Sequence, residues 1–589
     1  MTQNQFTGEI RLVGIPVSQG FAQGPILVIN QNDVPVPCYP VAPEKVHEEV
    51  QRLESAIQKT REQLLKVQRE VSETLGEKDA AIFEAHLLVL EDATLLGAVS
   101  KQLQMKKTNI EAVYNHVATH YASALAGLED PYLSERANDV RDVTKRVLMN
   151  LAGGAENPFA KIQSPSIIFA RDLSPSDTAQ LPHDKVLGFI TLLGSKTSHT
   201  AIMARSMDLP AIVGIEEKEG IQIETGMFAI LDGNKGILVI NPRQETLEEY
   251  GAVEERHEQI IQKLDELRHD ISVTTDNRRI ILSGNIEMTS DIQGVVNSGA
   301  EGIGLFRSEF LFANRDDLPG EEEQYAAYSE AARSVKPHNV ILRTLDIGGD
   351  KLMSRLFETH EQNPFLGVRA IRICLAHPEL LRTQLRAMLR ACVEGNVRIM
   401  YPMISGVEEV RQANKILFEE KDKLKAAGHQ IPDNIEIGAM IEIPSAALTA
   451  DIIAKEVSFF SIGTNDLIQY SIAIDRGNEK LAYLYSPTHP AILRLINGVV
   501  QAAHANNIWV GVCGEMASEF VLTPLLLGLG VDELSAGSAQ VPRIKRVIRS
   551  ISYAESKQMV DEILQETSSQ LIMDRLTAFS EERFPELFE

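Results

Sequence analysis

Side chains fit for chemistry recur in this sequence at one kind of place, the end of a short apolar run. Arg307 closes GIGLFR, Arg343 closes VILR, Glu442 follows IGAMI, Asn465 and Asp466 follow FFSIGT, and Cys513 follows WVGV. Arg476 stands on the next loop, in SIAIDRGN. Three arginines describe a site for a small, multiply charged anion, because guanidinium forks match carboxylate and phosphate oxygens two at a time. Glu442 and Asp466 add hard oxygen ligands, and two carboxylates with substrate oxygens and water suit Mg²⁺. A metal there would bridge substrate oxygens as charge develops in phosphoryl transfer. The set describes a ligand that carries both carboxylate and phosphate.

One further residue stands apart. His199, in GSKTSHTAIMARSMDLPAIVG, falls where a loop gives way to a helix. A helix N-terminus disfavours imidazolium and favours a neutral, nucleophilic ring, and a phosphate placed on that ring would meet free backbone N–H groups. Each residue also has a plainer reading. A lone histidine holds a turn, single arginines pair at a barrel end, Glu442 and Asp466 balance those arginines, and Cys513 is a small buried hydrophobe. Residues with purely structural duties need not all gather at the same ends of successive strands, and that convergence favours a site.

The apolar runs are what must position them. From residue 280 onward, IILSGNI, GIGLFRSEF, VILRTLDIG, VRIMYPMI, IEIGAMIEI, FFSIGTNDL, WVGVCGE and ELSAG alternate with helical patterns. Strand–helix units in that number predict a C-terminal (β/α)8 barrel, with an insertion between the third and fourth strands. Before it, QETLEEYGAVEERHEQIIQKLDELRHDI (244–271) is charged and helical, a linker. Residues 8–30 predict two short strands around a Gly-rich turn, and strand patterns return at 166–170, 185–192, 211–215, 228–232 and 237–241. Between them, three- and four-residue apolar steps predict a helical bundle inserted into a β-rich unit. The fold class is thus multidomain α/β. Its expected boundaries are 1–42 with 151–243 for the β/α domain, 43–150 for the insert, 244–274 for the linker and 275–589 for the barrel.

Composition narrows the class further. The 589 residues are 44% hydrophobic and 24% charged, with a net charge of -25. Such an excess repels nucleic acid and anionic membrane and favours basic or neutral partners. Cys38, Cys374, Cys392 and Cys513 form no CxxC pair and no zinc spacing, which points to a reducing compartment. No signal peptide or membrane span is evident in the pattern, so a cytoplasmic location is expected.

Over nearly the whole length, GSKTSHTAIMARSMDLPAIVG, GIGLFRSEFLF, RTLDIGGDK, NPFLGVRAIRI, FFSIGTNDLIQY and VCGEMASE resemble, in order, the Enzyme I family of the bacterial phosphoenolpyruvate-dependent sugar phosphotransferase system. The resemblance implies that phosphate passes from phosphoenolpyruvate to His199 and on to the phosphocarrier HPr. It implies substrate contacts at Arg307, Arg343, Asn465, Asp466 and Arg476, magnesium ligands at Glu442 and Asp466, and a general acid at Cys513. It further implies a β/α domain that swivels between two poses, HPr docking on the helical insert, and a homodimer formed through the barrel domain. Glu73, Glu77, Glu84, Asp92 and Asp139 are candidate acidic contacts for the basic carrier. Ser195 and Lys196 depart from the family's commonest GGRTSH spelling; the lysine keeps the charge without the guanidinium fork. The nitrogen-regulatory branch is the alternative reading, and a dikinase-related enzyme, for which no Walker loop is present, a more distant one.

Overall fold

A computed structural model describes residues 8–29, 36–75, 82–127, 131–153, 162, 164–173, 175–178, 181–182, 185–194, 199–207, 209–215, 223–312, 315, 317–348, 363–475 and 478–588. The chain divides into two compact units, residues 1–254 and 255–589.

The first unit is built on an eight-stranded sheet. Its strands are β1 (Ile10–Val13), β2 (Ile15–Ser18), β3 (Phe21–Ile29), β4 (Ser166–Ala170), β5 (Val186–Thr191), β6 (Ala211–Val213), β7 (Phe228–Asp232) and β8 (Ile237–Ile240), in the order β1-β8-β7-β3-β4-β5-β6-β2. The N-terminal segment therefore supplies three strands rather than the expected two. Gly14 ends the first: a Cβ there would lie 2.6 Å from the Ile212 side chain and 2.7 Å from that of Ile215. Gly20, at φ 117°, makes the second turn in a region that glycine enters without strain. β3 joins the two parts of the sheet, pairing parallel with β4 through Ile26–Ile29 and antiparallel with β7 through Phe21–Pro25.

Between β3 and β4 lie the helices Val46–Leu75, Ile82–Leu90, Ala93–Lys106, Ile110–Ala126 and Pro131–Leu151. The first buries Leu53, Ala56, Leu64, Val67 and Val71, a stripe at helical spacing on an otherwise polar helix. The third starts where Asp92 accepts hydrogen bonds from the backbone N–H groups of Thr94 and Leu95. Among the described residues, no helix is long and apolar enough to cross a membrane.

The second unit is a closed barrel of parallel strands: β9 (Ile281–Ile286), β10 (Gly302–Arg307), β11 (Asn339–Arg343), β12 (Val397–Tyr401), β13 (Ile437–Ile441), β14 (Phe459–Ile462), β15 (Trp509–Val512) and β16 (Glu533–Ala536). β16 pairs back to β9. Alternation sorts each strand's side chains. Val340 and Leu342 face the outer helices, and Ile341 turns inward to pack with Leu305, Met400, Met440, Phe459 and Cys513. These residues form a packed interior, and the Phe459 ring stacks on Trp509 at 4.5 Å between centroids. The strands are shorter than the apolar runs suggested. Ser308–Leu311 becomes a 3₁₀ turn and Thr464–Ser471 a helix, so Asn465 and Asp466 sit beyond the end of β14.

Because Phe459 fills this interior and is fully buried, Phe459→Ala leaves a cavity that neighbouring strands cannot close. A loss of about 3–5 kcal/mol in barrel stability is expected, measured as a lower urea midpoint for the barrel transition; an unchanged midpoint would contradict the packing described.

Candidate active site at the barrel mouth

Closing the barrel brings the C-terminal ends of its strands around one mouth. Arg307 and Arg343 are the last residues of β10 and β11, Glu442 follows β13, and Cys513 follows β15. Asn465 and Asp466 lie in the first turn of the helix after β14. Arg476 lies outside the described residues.

Arg343 is the centre of this constellation. Its Nη2 donates to Glu309 Oε1 at 2.8 Å, and its Nη1 lies 2.9 Å from Asp346 Oδ2. Burial works against its charge, but Glu309 and Asp346 outweigh burial and hold its pKa above the ordinary arginine range. Asp346 also accepts from Arg369 Nη2 at 2.9 Å, and Arg369 reaches Asp466 at 3.9 Å and Tyr470 Oη at 3.3 Å. Arg307 pairs with Glu287, just beyond β9, and keeps about a third of its side chain exposed. One arginine is therefore locked inside the mouth and another stands at its rim.

The acids divide by environment. Asp346 is held below the usual carboxylate range, since Arg343 and Arg369 overcome the opposing effect of burial. Glu309 is pushed up by burial, with Asp346 adding to the effect and Arg343 opposing it. Glu442 is pushed up to about 8 by burial and then by the neighbouring charges of Asp346 and Asp466, although the Met403 N–H donates to its Oε1 at 2.6 Å. Asp346, Glu442 and Asp466 each offer an oxygen, and these oxygens lie within 4.8 Å of one another. Hard donors this close, with one pKa raised by burial and then by carboxylate crowding, fit a divalent cation.

Cys513 is buried, its Sγ directed at the Ile462 carbonyl at 3.7 Å. Burial pushes its pKa up to about 11, against smaller opposing effects of a Ser461 hydrogen bond and the Arg343 charge. At neutral pH it is a thiol, a proton donor rather than a nucleophile. Asn465 spans two loops, donating from Nδ2 to Glu515 Oε1 at 3.0 Å and accepting the Glu515 N–H at 2.9 Å. The loops approach closely only because two positions lack Cβ atoms. A Cβ on Gly463 would lie 2.6 Å from Glu442 Oε2, and one on Gly514 would lie 1.8 Å from Thr464 Oγ1.

In the first unit, His199 is the first described residue of the helix His199–Ser206, and residues 195–198, on which the expected loop-to-helix junction depends, lie outside the described residues. The next residue, Thr200, donates its hydroxyl to the Leu173 carbonyl at 2.6 Å and ties the helix start to the segment after β4. Ser195 and Lys196 lie outside the described residues. Of the acidic candidates on the helical insert, Glu84 is exposed, Asp92 caps a helix, and Asp139 is buried with its Oδ1 3.4 Å from His86 Nε2. Nothing is described of the Glu73 side chain, and Glu77 is outside the described residues.

Reading strand ends alone missed Glu287, Glu309, Asp346 and Arg369. Asp346 was within reach, three residues past Arg343 in RTLDIGG, but it lies beyond the end of β11. Arg369 comes from the long excursion between β11 and β12, where no periodic pattern announces it.

The raised pKa of Glu442 has a defined sign. A folded pKa of about 8 against an ordinary carboxyl near 4.5 means that its contribution to metal-free stability is complete below about 4.5 and lost as pH rises through about 8. Metal-free barrel stability should decline over that interval in the parent chain and decline less in Glu442→Gln, as followed by thermal unfolding across pH. Divalent-cation binding by calorimetry should tighten as pH rises toward 8 and be weak in the variant throughout. A pH-independent affinity would contradict the assignment.

Comparison with known proteins agrees with this layout. Family models described as PEP-utilising enzyme, N-terminal, PEP-utilising enzyme, mobile domain, and PEP-utilising enzyme, PEP-binding domain match residues 13–136, 162–236 and 262–553. The phosphoenolpyruvate-protein phosphotransferase of Priestia megaterium is 44% identical over 563 residues, 95% of this chain and 96% of its own. Those of Listeria monocytogenes and Bacillus subtilis are 42% and 43% identical, each over 97% of this chain and 99% of their own. Relatives this similar along almost the entire length place the chain in the phosphoenolpyruvate-protein phosphotransferase family of PEP-utilising enzymes.

Proposed function

We propose that this protein moves the phosphoryl group of phosphoenolpyruvate onto His199, releasing pyruvate, and then onto a histidine of the phosphocarrier HPr, the first step of phosphotransferase-system sugar uptake. The observation that carries the reading is the single barrel mouth at which buried Arg343, rim Arg307, a carboxylate cluster and a protonated Cys513 meet. The names of the relatives support the same activity.

The residues divide the chemistry between them. Arg307, Arg343 and Arg476 bind the carboxylate and phosphate of the substrate, and Asn465 and Asp466 orient it. Glu442 and Asp466 would hold Mg²⁺, which supplies positive charge opposite the substrate oxygens. A neutral His199 Nε2 attacks phosphorus, the bond to the enolate oxygen breaks, and that oxygen keeps the electron pair. The enolate then takes a proton at its methylene carbon from the Cys513 thiol, giving pyruvate and a thiolate that later regains a proton from water. A pKa near 11 suits this donor, because the thiol is present at every physiological pH.

On this reading, residues 1–42 and 151–243 carry the phosphohistidine and swivel. Residues 43–150 receive HPr, 244–274 link the parts, and 275–589 bind substrate and form a homodimer. His199 meets its donor at the barrel and its acceptor at the helical insert in turn. A cytoplasmic location follows from the carrier and substrate it serves.

His199→Ala is expected to take up no acid-labile label from phosphoenolpyruvate labelled in its phosphate, with Mg²⁺ present, and to leave HPr unphosphorylated; label at normal speed would end the proposal. Cys513→Ala separates the two chemical roles. Pyruvate formation should fall by at least about a hundredfold, while transfer from phosphorylated HPr back onto His199 proceeds at close to the parent rate. Equal loss in both assays would remove Cys513 from the acid role.

A further inference from the structure

The two arginines at the ends of β10 and β11 are held in register from outside the barrel. Gln384 lies on the outer helix Pro378–Ala391 and is almost completely buried. Its Oε1 accepts the Leu345 N–H at 2.8 Å. Its Nε2 donates to Ser308 Oγ at 3.1 Å and to Tyr328 Oη at 3.1 Å. Ser308 is the residue after Arg307, and Leu345 is two residues after Arg343. One amide thus grips the chain just beyond both guanidinium-bearing positions, where the strands have ended and ladder hydrogen bonds no longer fix their separation.

The proton arrangement is determined by the network. The Leu345 N–H can only donate, which assigns oxygen to that side of the amide and leaves both N–H groups for the two hydroxyls. Tyr328 Oη in turn donates a hydrogen bond to Gln324 Oε1 at 3.2 Å, and Gln324 Nε2 ends the chain on the Pro319 carbonyl at 3.0 Å. Every link is buried, so water cannot substitute for a lost partner and the geometry is stiff. The same turn also carries the Asp346 N–H that donates to Glu309 Oε1 at 3.1 Å, so a shift at Leu345 moves Asp346 and loosens the clamp on Arg343.

We infer that Gln384 is a positioning residue for substrate binding, a staple that sets the spacing of Arg307 and Arg343 without touching the substrate. The inference rests on the proposed phosphoenolpyruvate activity and adds a determinant of affinity remote from the mouth. Anion recognition by two guanidiniums depends on their separation, and displacement of a binding group by about 1 Å costs up to about a hundredfold.

The test uses the full-length protein with Mg²⁺, measuring pyruvate formation against phosphoenolpyruvate concentration and, separately, phosphate transfer from phosphorylated HPr to His199. Gln384→Met keeps the length of the side chain and removes all three hydrogen bonds. KM for phosphoenolpyruvate should rise roughly ten- to a hundredfold, while transfer from HPr stays at the parent rate. Ser308→Ala, which cuts one grip, should show a smaller rise and serves if Gln384→Met fails to fold. Asn396→Leu is the control for lost stability. Asn396 sits at the start of β12, the other end of the barrel, and donates to the Ala332 and His338 carbonyls; its loss should lower the melting temperature and leave KM unchanged. A purely structural role for Gln384 would reduce the active fraction at constant KM, and that result overturns the inference. A parent protein that forms no pyruvate would instead overturn the proposed function, so the two failures are distinguishable.

Discussion

A guanidinium taken out of water inside a protein is tolerated only where carboxylates meet it at hydrogen-bond distance, and the barrel mouth is organised around one such group. Removing a charge of this size from water costs several kcal/mol even after relaxation. Arg343 meets that cost through Glu309 and Asp346, at 2.8 and 2.9 Å. Asp346 is in turn shared with Arg369, which faces Asp466. The acids of this cluster outnumber its buried guanidiniums. Burial first, and then that excess of carboxylates, push Glu309 and Glu442 up, while Arg343 and Arg369 hold Asp346 down; a divalent cation fits the same oxygens. Affinity for an anion and affinity for a cation arise from one arrangement.

The scaffold explains how such a cluster can be both buried and exact. Apolar residues on alternate sides of each strand build the interior and the outer shell, so the strands end at fixed heights around the mouth. Glycine decides how near the following turns approach: with any side chain at 463 or 514, Glu442 and the start of the Thr464–Ser471 helix would have to retreat. The polar groups are held from behind as well as from the sides. Asn285 donates to the Cys513 carbonyl at 3.3 Å and to that of Ser535 at 3.1 Å, tying the residue after β15 to strand β16.

Much of this was legible in the sequence, for a physical reason. A buried parallel strand must be an unbroken apolar run, and the first polar residue after it must emerge at the barrel's C-terminal face. That rule alone located Arg307, Arg343, Glu442, Asn465, Asp466 and Cys513. It failed for Arg369, which lies between β11 and β12 rather than at a strand end, and for Glu309, whose carboxylate turns inward from a 3₁₀ turn that continues a strand-like run. It also failed in the first unit, where Gly14 and Gly20 cut what read as two strands into three. Surface charge was the least legible feature. Asp92 and Asp139 looked like free acids of a docking face, yet one caps a helix and the other is buried against His86. Composition records a carboxylate, and only the fold determines whether it faces solvent or a backbone N–H.

Burial acts on two groups at this mouth with different consequences. Cys513 and Glu442 are both raised by desolvation, to about 11 and about 8. For the thiol, the shift moves titration far above neutrality, so the proton that the proposed reaction delivers to carbon stays on sulfur. For the carboxyl, it brings titration close to neutrality, where a neighbouring cation can draw off the proton at little cost. The same low-dielectric cavity therefore keeps one acid loaded and leaves the other ready to become a ligand. Intrinsic acidity separates them, together with the neighbours of each: Asp346 and Asp466 add to the rise of Glu442, while Ser461 and Arg343 oppose that of Cys513. A more open mouth would lower both values together, leaving a less certain proton donor beside a more fully charged carboxylate, so the depth at which these side chains sit sets acid and ligand chemistry jointly.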